Sequence, residues 1–270
     1  MKVLRNISVL KKAINNISNL GFVPTMGGFH KGHISLIKES KKKCKKTVVS
    51  IYINPNQFNS KKDFLKYPRN IKKDLGILKK INPDFVFIPD TKDIYRTIRK
   101  KKIILPKSDK ILCAELRIGH FEGVLDIMDR FIKIIKPNYI FMGEKDFQQL
   151  YLIKKFIKNK YKSKVFACKT IRDKNYAALS TRNFLLTKND IYNVGRISKT
   201  LKNIKTNIKK VKSINSYLDL SKEQLSHKFK IKIDYLKLCN EDNLKNNNVK
   251  RKYRIMIAYF IKNIRLIDNL

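Results

Sequence analysis

Two histidines three residues apart, His30 and His33, are the strongest candidates for catalytic side chains in this chain. They stand in the stretch FVPTMGGFHKGH, where an apolar run ends in Pro-Thr and Met26, Gly27 and Gly28 follow before an amphipathic run begins. Glycine lets a backbone approach a ligand closely, and the first turn of a helix presents unpaired N–H groups. Imidazoles can donate to phosphate oxygens and stabilise charge that develops there. The pattern favours a phosphate-handling site, with simple capping of the helix as the alternative.

Two further blocks place polar side chains at similar turns. Gln57 follows a β-branched run in SIYINPNQF, and its amide can both donate to and accept from an alcohol or a carboxylate. Arg117 and His120 precede another amphipathic run in RIGHFEGV. A loop glutamine taken alone can also be merely solvated.

The stretch GEKDFQQL follows an apolar run and opens a helical one. Lys145 supplies a point charge suited to a phosphate. Asp146 could cap the helix, bind a ribose hydroxyl or bind a metal. We expect one of Gln148 and Gln149 to face the cleft in which this phosphate would bind.

The last block, LSTRN, offers Ser180, Thr181 and Arg182 in a small polar turn, which suits a triphosphate or a solvated loop. Three of the four histidines and six of the nine glycines fall in these blocks. A chain rich in Lys, Asn and Ile that keeps its rare residues at such turns indicates a site there.

Predicted strands and helices alternate along the first part of the chain and carry these residues at their ends. Strand and helix periodicities follow one another with short connections, which predicts a parallel sheet with helices on both faces. Ligands of such sheets bind outside the carboxyl ends of the strands. Strands are predicted at 20–24, 47–53, 84–89, 138–143 and 164–170, and helices at 33–43, 70–81, 121–136 and 146–158.

The two ends of the chain follow other patterns. The apolar spacing from Val3 to Ile17 predicts an amphipathic N-terminal helix. Beyond about residue 185 we expect a small α+β domain, and we place the division at 1–176 and 177–270. Its predicted helices are 188–209 and 213–228, and its predicted strands are 231–239, 253–260 and 263–268.

The formal net charge is +41, with a pI near 10.1. Basic runs are scattered along the chain, including RKKKI at 99–103 and KNNNVKRKYR at 245–254, and do not form one stripe. A chain-wide Lys, Asn and Ile bias on solvated faces and a real polyanion site both remain open. A nucleic-acid-binding protein is therefore one rival hypothesis. It leaves the gathering of His and Gly unexplained, and without a basic stripe interleaved with aromatics we expect only weak nonspecific binding.

The four cysteines form no C-x-x-C pair, which argues against a structural zinc site and a disulfide scaffold and indicates a reducing cytoplasm. No apolar run is long enough to span a membrane. Lys, Asn and Ser interrupt the N-terminal apolar residues, so a signal peptide is not expected.

Taken together, PTMGGFHKGH, SIYINPNQF, YPR, RIGHFEGV, GEKDFQQL and LSTRN resemble the pantoate–β-alanine ligase (pantothenate synthetase) family. The blocks stand in the family's order over about 22–186, and the late RLIDN at 265–269 also looks like the family's. The H-x-G-H turn alone indicates only the wider adenylyl-transferring superfamily. Another member of that superfamily, joining a different acid and amine, is the second rival hypothesis.

The resemblance implies a Rossmann-like, doubly wound N-terminal domain, a smaller C-terminal lid domain and a homodimer. It implies that pantoate attacks the α-phosphate of ATP to give pantoyl adenylate and pyrophosphate. β-Alanine then attacks the adenylate to give pantothenate and AMP, and Mg²⁺ accompanies ATP.

The family's roles are carried over onto the matching positions. His30, His33, Lys145 and Arg182 are implied to be catalytic, with His33 as the proton donor. The residues implied to line ATP are Met26, Gly27, Gly28, Phe29, His30, Lys31, Gly32, His33, Gly143, Glu144, Lys145, Asp146, Ile171, Leu179, Ser180, Thr181 and Arg182.

The smaller ligands are assigned in the same way. Gln57 and Gln149 are implied to hold pantoate, with Gln57 also near β-alanine. Ile171 is implied to offer backbone contacts to adenine. Asp74, seven residues after Tyr67 of YPR, is the implied magnesium ligand.

The chain departs from the family's pattern at a few loop positions. Ala114 stands where the family usually has Gly, and Ile118 where it has Pro. Asn175 and Tyr176 replace an Asp-Gly pair, and Lys262 replaces a Gly. Tyr176 is the largest change, since a turn with positive φ would be strained by a side chain. We expect such changes to affect stability or turnover and not to abolish function.

Overall fold

The computed structural model describes residues 1–96, 102–245, 249 and 252–270, so parts of the two basic runs named above lie outside the described residues. The chain divides into two compact units. The first comprises residues 1–144 and 152–169, and the second comprises residues 145–151 and 170–270. The division expected between residues 176 and 177 stays a prediction, as does the lid role of the C-terminal part.

A parallel sheet is the framework of the first unit, and six strands form it within the described residues. Their order is β1-β4-β3-β2-β5-β6 and every neighbouring pair is parallel. Val23, Val49, Val86 and Phe141 are fully buried, as expected for strands covered on both faces. The strands are β1 (Lys2–Leu4), β2 (Leu20–Thr25), β3 (Lys46–Ile51), β4 (Phe85–Phe87), β5 (Tyr139–Gly143) and β6 (Lys164–Cys168).

The helices of this part follow the strands, and the predicted α/β architecture is confirmed. Several begin at a side-chain cap: Asn6 precedes the first helix and Asn70 the fourth, each accepting from backbone N–H groups. The helices are α1 (Ile7–Ile14), α2 (Lys31–Lys43), α3 (Lys61–Lys66), α4 (Ile71–Ile81), α5 (Thr91–Ile94), α6 (Cys113–Leu116), α7 (His120–Ile135) and α8 (Phe147–Lys158).

The N-terminal segment corrects one expectation. The helix predicted from Val3 begins only at Ile7, because residues Lys2–Leu4 extend the sheet, with Val3 paired to Val86. The Asn6 side chain then accepts from the N–H groups of the next helical turn and sets its start. Pairing with a distant strand overrides the local helical spacing here.

The winding of the sheet reverses at β2. This strand pairs with β3 on one side and with β5 on the other. In an open parallel sheet, the crevice outside the carboxyl ends of two such strands is where ligands bind. The Met26–His33 stretch follows β2, and Gly143 and Glu144 stand at the end of β5, so residues from two of the predicted blocks occupy these positions.

The second unit has the predicted α+β composition. It contains α9 (Lys188–Asn207), α10 (Ile214–Phe229) and an antiparallel sheet of β7 (Lys232–Asn240), β8 (Tyr253–Ile261) and β9 (Ile264–Asn269), in that order. Thr187 and Asp190 form a capping box that begins α9. Its core includes the fully buried Ile197, Leu201 and Leu238. In the described part of both units, no helix is long and apolar enough to cross a membrane.

Candidate active site

The turn after β2 is held by a carboxylate from α4. Gly27 and Gly28 have φ of +79° and +63°, a conformation that glycine adopts without strain. The backbone N–H of Gly28 donates to Asp74 Oδ2 at 2.9 Å, and that of Phe29 donates to Asp74 Oδ1 at 3.0 Å. A Cβ on Gly27 would lie 2.7 Å from Asp74 Oδ2, so this position has no room for a side chain. Asp74 is only 3% exposed, and its buried carboxylate fixes the direction of the turn.

The two histidines of the turn lie side by side at the start of α2. Their ring centroids are 4.1 Å apart, and the Phe29 ring contacts His33 edge-on at 5.4 Å. His30 Nδ1 accepts from the backbone N–H of Gly32 at 3.1 Å and so caps the helix. When His30 is neutral, its proton therefore sits on Nε2. Capping, the alternative considered from the sequence, applies to His30, whereas His33 lies inside the helix.

Gln57 lies beside this turn. It ends a short 3₁₀ helix, Pro55–Gln57, that follows β3. Its Nε2 donates to Met26 Sδ at 2.8 Å, so the structure brings these two predicted site residues together. The Gln57 side chain is buried, so it is not the solvated loop glutamine that was the alternative. Its surroundings therefore hold the amide in place.

The RIGHFEGV block fixes the Gln57 turn, a role that the sequence did not reveal. His120 Nδ1 lies 2.5 Å from the backbone oxygen of Gln57, and Arg117 Nη1 lies 2.9 Å from His120 Nε2. Arginine only donates, so His120 Nε2 accepts from it and Nδ1 carries the proton that binds the Gln57 carbonyl.

Gly123, one turn further along α7, allows a close approach to the same segment. A Cβ there would lie 2.3 Å from the backbone oxygen of Asn56, and Asn54 Nδ2 donates to the Gly123 carbonyl at 3.0 Å. The sequence offered one sign of this contact, namely a glycine within a strongly apolar helical pattern. Such a glycine usually has a packing or functional reason.

In the second unit, Lys145 and Asp146 form an ion pair of 3.2 Å. The Lys145 side chain is 16% exposed and that of Asp146 is 48% exposed. Gln148 is buried and Gln149 is half-buried, so Gln149 is the more accessible of the two glutamines.

The LSTRN turn folds back on the segment before it. Leu179 donates its backbone N–H to the carbonyl of Ile171 at 3.0 Å, which brings two predicted ATP-site residues together. Ser180 caps the 3₁₀ helix Thr181–Leu185 by accepting from the N–H of Arg182 at 3.3 Å. Thr181 is buried and Ser180 is half-buried. These hydroxyls therefore order the turn that carries Arg182.

Two of the departures from the family pattern fall where the backbone has a positive φ. Tyr176 has φ of +79° and Lys262 has φ of +54°. The Arg172 guanidinium lies 4.7 Å from the Tyr176 ring centroid, and Lys262 Nζ lies 2.8 Å from Asp190 Oδ2. The bond from Lys262 and those from Thr187 lower the pKa of Asp190. Each strained side chain thus gains a polar partner.

The other three departures, Ala114, Ile118 and Asn175, lie at less demanding positions. Ala114 is within α6, and Ile118 is 84% exposed. None of the three has a positive φ. The strain expected from the sequence is therefore confined to Tyr176 and Lys262.

The described residues contain no cluster of three or more His, Cys, Asp or Glu side chains that could hold a metal ion. Both Asp74 oxygens already accept from backbone N–H groups. The chain thus lacks a metal cage of its own within these residues, and the magnesium role of Asp74 stays a prediction.

Known proteins resemble this chain over its whole length. The model of the family described as pantoate-beta-alanine ligase matches residues 2–270. A pantothenate synthetase from Flavobacterium psychrophilum is 36% identical over 267 residues, which cover 97% of this chain and 94% of that protein.

Solved structures agree. Pantothenate synthetase from Thermus thermophilus superposes with a TM-score of 0.93 at 26% identity, covering 100% of this chain and 99% of that one. The pantoate-beta-alanine ligase from Francisella tularensis, complexed with beta-gamma ATP and beta-alanine, superposes with a TM-score of 0.85 at 34% identity. That superposition covers 100% of this chain and 97% of the other. Since the family model and a relative above 30% identity both cover nearly all of it, this chain belongs to the pantoate–β-alanine ligase family.

Proposed function

We propose that this chain joins pantoate and β-alanine to form pantothenate, with ATP converted to AMP and pyrophosphate. Membership of the family over residues 2–270 supports the reaction. The observation that carries it within the structure is the Met26–His33 turn. There, paired imidazoles stand at a helix start beside a buried glutamine amide bonded to Met26. This arrangement offers phosphate donors next to a group that suits a hydroxy acid.

The reaction has two balanced steps. A pantoate carboxylate oxygen bonds to the α-phosphorus of ATP while the bond to the β-phosphate oxygen breaks and pyrophosphate leaves. The β-alanine nitrogen then bonds to the acyl carbon, AMP leaves with the electrons of the broken C–O bond, and the amine loses a proton. Neither step needs a covalent enzyme intermediate.

The main obstacle in the first step is charge, because a carboxylate approaches a polyanion. Hydrogen-bond donors and cations placed at the phosphates offset that repulsion and stabilise the charge that grows there. We assign this role to His30, His33, Lys145 and Arg182, with His33 as proton donor to the leaving phosphate. Asp74 and the glycines hold the backbone N–H groups of the turn in place.

The remaining assignments follow the same proposal. Gln57 and Gln149 hold pantoate, Ile171 offers backbone contacts to adenine, and Leu179 lies with Ser180, Thr181 and Arg182 around the phosphates. Mg²⁺ supplies positive charge on the ATP phosphates when bound. The homodimer and the cytoplasmic location are also proposals. The four cysteines are buried and none is in a disulfide, which suits a reducing compartment.

The test is the product formed from ATP when pantoate and β-alanine are both present. We expect AMP and pyrophosphate, and we expect His33→Ala to lose most of this activity. Formation of ADP, or full activity in His33→Ala, would overturn the mechanism.

A second measurement addresses another H-x-G-H enzyme, the main rival. Exchange of labelled pyrophosphate into ATP should depend on pantoate. Exchange without pantoate, or only with a different acid, would favour the rival.

A further inference from the structure

The C-terminal strand β9 ends in two buried polar residues for which the reaction supplies no role. Asp268 and Asn269 are each 3% exposed. Asn269 Nδ2 donates to the backbone oxygen of Lys145 at 2.8 Å, and Asn269 Oδ1 accepts from Arg254 Nη1 at 2.8 Å. Both ends of this amide are thus committed, and one of them holds the main chain of the lysine assigned to the ATP phosphates.

Arg254 on β8 fixes a second point of the same segment. Its guanidinium carbon lies 4.3 Å from the centroid of the Phe147 ring, and its Nε lies 3.0 Å from Glu241 Oε1. Asn269 therefore holds the backbone at Lys145 while Arg254 packs on the side chain two residues later. Together they restrain both the position and the direction of residues 145–147.

The Asp268 carboxylate helps to orient Asn269. Its oxygens accept from both Arg172 Nη atoms at 2.8 Å, from Ser198 Oγ at 2.7 Å and from the backbone N–H of Asn269 at 2.8 Å. Arg172 Nη2 also donates to the carbonyl of Asn269 at 3.2 Å. The two bonds from Arg172 form a bidentate pair, which fixes the orientation of this buried carboxylate most strongly.

We propose that Asn269 is a positioning residue for Lys145, so that strand β9 sets where the phosphate-binding ammonium can reach. A lysine side chain has four rotatable bonds, and fixing its backbone is the main way to limit the region that Nζ samples. Small displacements of a positioned group can lower a rate substantially. The proposal rests on the function assigned above, since it takes Lys145 as a phosphate ligand.

Asn269→Asp is the sharpest variant. It keeps the shape of the side chain and the oxygen that accepts from Arg254, but it replaces the donor that faces the Lys145 carbonyl with an acceptor. Ser198→Ala is the matched control, because it removes one buried hydrogen bond from Asp268 without touching Lys145 or Asn269. Asn269→Ala, which adds no charge, is the second variant should Asn269→Asp fail to fold.

Two measurements on the full chain test the proposal. Hydrogen–deuterium exchange of a peptide covering residues 143–151 should rise in Asn269→Asp and stay near the wild-type level in Ser198→Ala. In steady-state assays kcat for AMP formation should fall about tenfold in Asn269→Asp, as expected from the loss of one buried hydrogen bond. The KM for pantoate should stay within about twofold, and Ser198→Ala should change neither constant by more than that.

The outcomes separate this inference from the proposed function. An active wild type with an unchanged Asn269→Asp, in exchange or in kcat, refutes only the positioning role. Equal effects of Asn269→Asp and Ser198→Ala also refute it, because they indicate a general loss of stability. A wild type that forms no AMP refutes the proposed function and, with it, the catalytic meaning of the Asn269 contact.

Discussion

The carboxylate of Asp74 accepts a hydrogen bond from the backbone N–H of Gly28, with 2.9 Å between Oδ2 and N. This bond joins α4 to the turn after β2, across 46 positions of sequence. The second oxygen accepts from Phe29, and Gly27 sits against the same carboxylate without room for a Cβ. The direction of the turn thus depends on one buried side chain, which is not a reactant in either proposed step.

Asp74→Asn should therefore weaken both the fold and the reaction. The asparagine keeps one oxygen but turns an NH₂ towards a backbone N–H, so that two buried donors face each other. We expect the free energy of unfolding to fall by about 1–3 kcal/mol, the usual result of an unsatisfied buried group. AMP formation should fall as well. Urea denaturation and the AMP assay measure the two effects, and Asp219→Asn, on the exposed face of α10, is the control.

The same variant distinguishes positioning from metal binding. If Asp74 acts only on the turn, added Mg²⁺ leaves the activity of Asp74→Asn at its reduced level. Recovery of activity as the Mg²⁺ concentration rises would instead support the predicted role of Asp74 as a metal ligand.

The structural role of His30 and its proposed chemical role can be separated. Its Nδ1 caps α2, and asparagine is a preferred residue at that position. His30→Asn should therefore keep the stability of the wild type, whereas His30→Ala should lower the free energy of unfolding by about 1 kcal/mol. Both should lower AMP formation by about a hundredfold or more, since both remove the imidazole. Near-normal turnover in His30→Asn would show that His30 is only a cap.

His120 should influence pantoate binding without contacting pantoate. Its Nδ1 binds the carbonyl of Gln57, so His120→Asn should release that turn and raise the KM for pantoate about tenfold, the loss expected for one buried hydrogen bond. The KM for ATP should change less. His227→Asn is the matched control, because His227 is exposed on α10. Equal increases in the two KM values would contradict this division of roles.

The order of the strands and helices could be predicted from the sequence, because most of them depend on local patterns of apolar residues. Strand β5 and helix α8 lie within a residue of their predicted bounds, since their apolar runs are continuous and their ends carry turn residues. Strand β1 could not be predicted, because three residues become a strand only by pairing with β4. The short helices α3, α5 and α6 are too brief to show a period.

The candidate site divides in the same way. The sequence located His30, His33 and Gln57 by type and by their place after apolar runs. It could not pair Asp74 with Gly28, or His120 with Gln57, since 46 and 63 positions separate these partners. Such contacts depend on how the helices cross the sheet, and no local pattern records that.

The four cysteines should be inert in the folded protein. All are buried and none is in a disulfide, and burial raises the pKa of Cys168 and of Cys239 to about 12. At about pH 8 the thiolate fraction of such a group is about one in ten thousand, and only the thiolate reacts. Ellman's reagent should therefore label no thiol in the native protein and all four in guanidinium chloride. Rapid native labelling of Cys168, identified by mass spectrometry, would contradict this prediction.

Lys262→Gly should stabilise the second unit. Lys262 is the first residue of the two-residue turn between β8 and β9, and its φ of +54° strains a side chain by about 1–2 kcal/mol. The substitution also removes the ion pair with Asp190, but the Lys262 side chain is 63% exposed, so that pair contributes only about 0–1 kcal/mol. Relief of strain therefore prevails, and the gain should grow at high salt, which screens the ion pair. Asn263→Gly, at the next position without a positive φ, is the control and should destabilise the turn. Thermal unfolding at two salt concentrations measures the effects of strain and of the ion pair. A Tm of Lys262→Gly below that of the wild type at high salt would show that the backbone is not strained there.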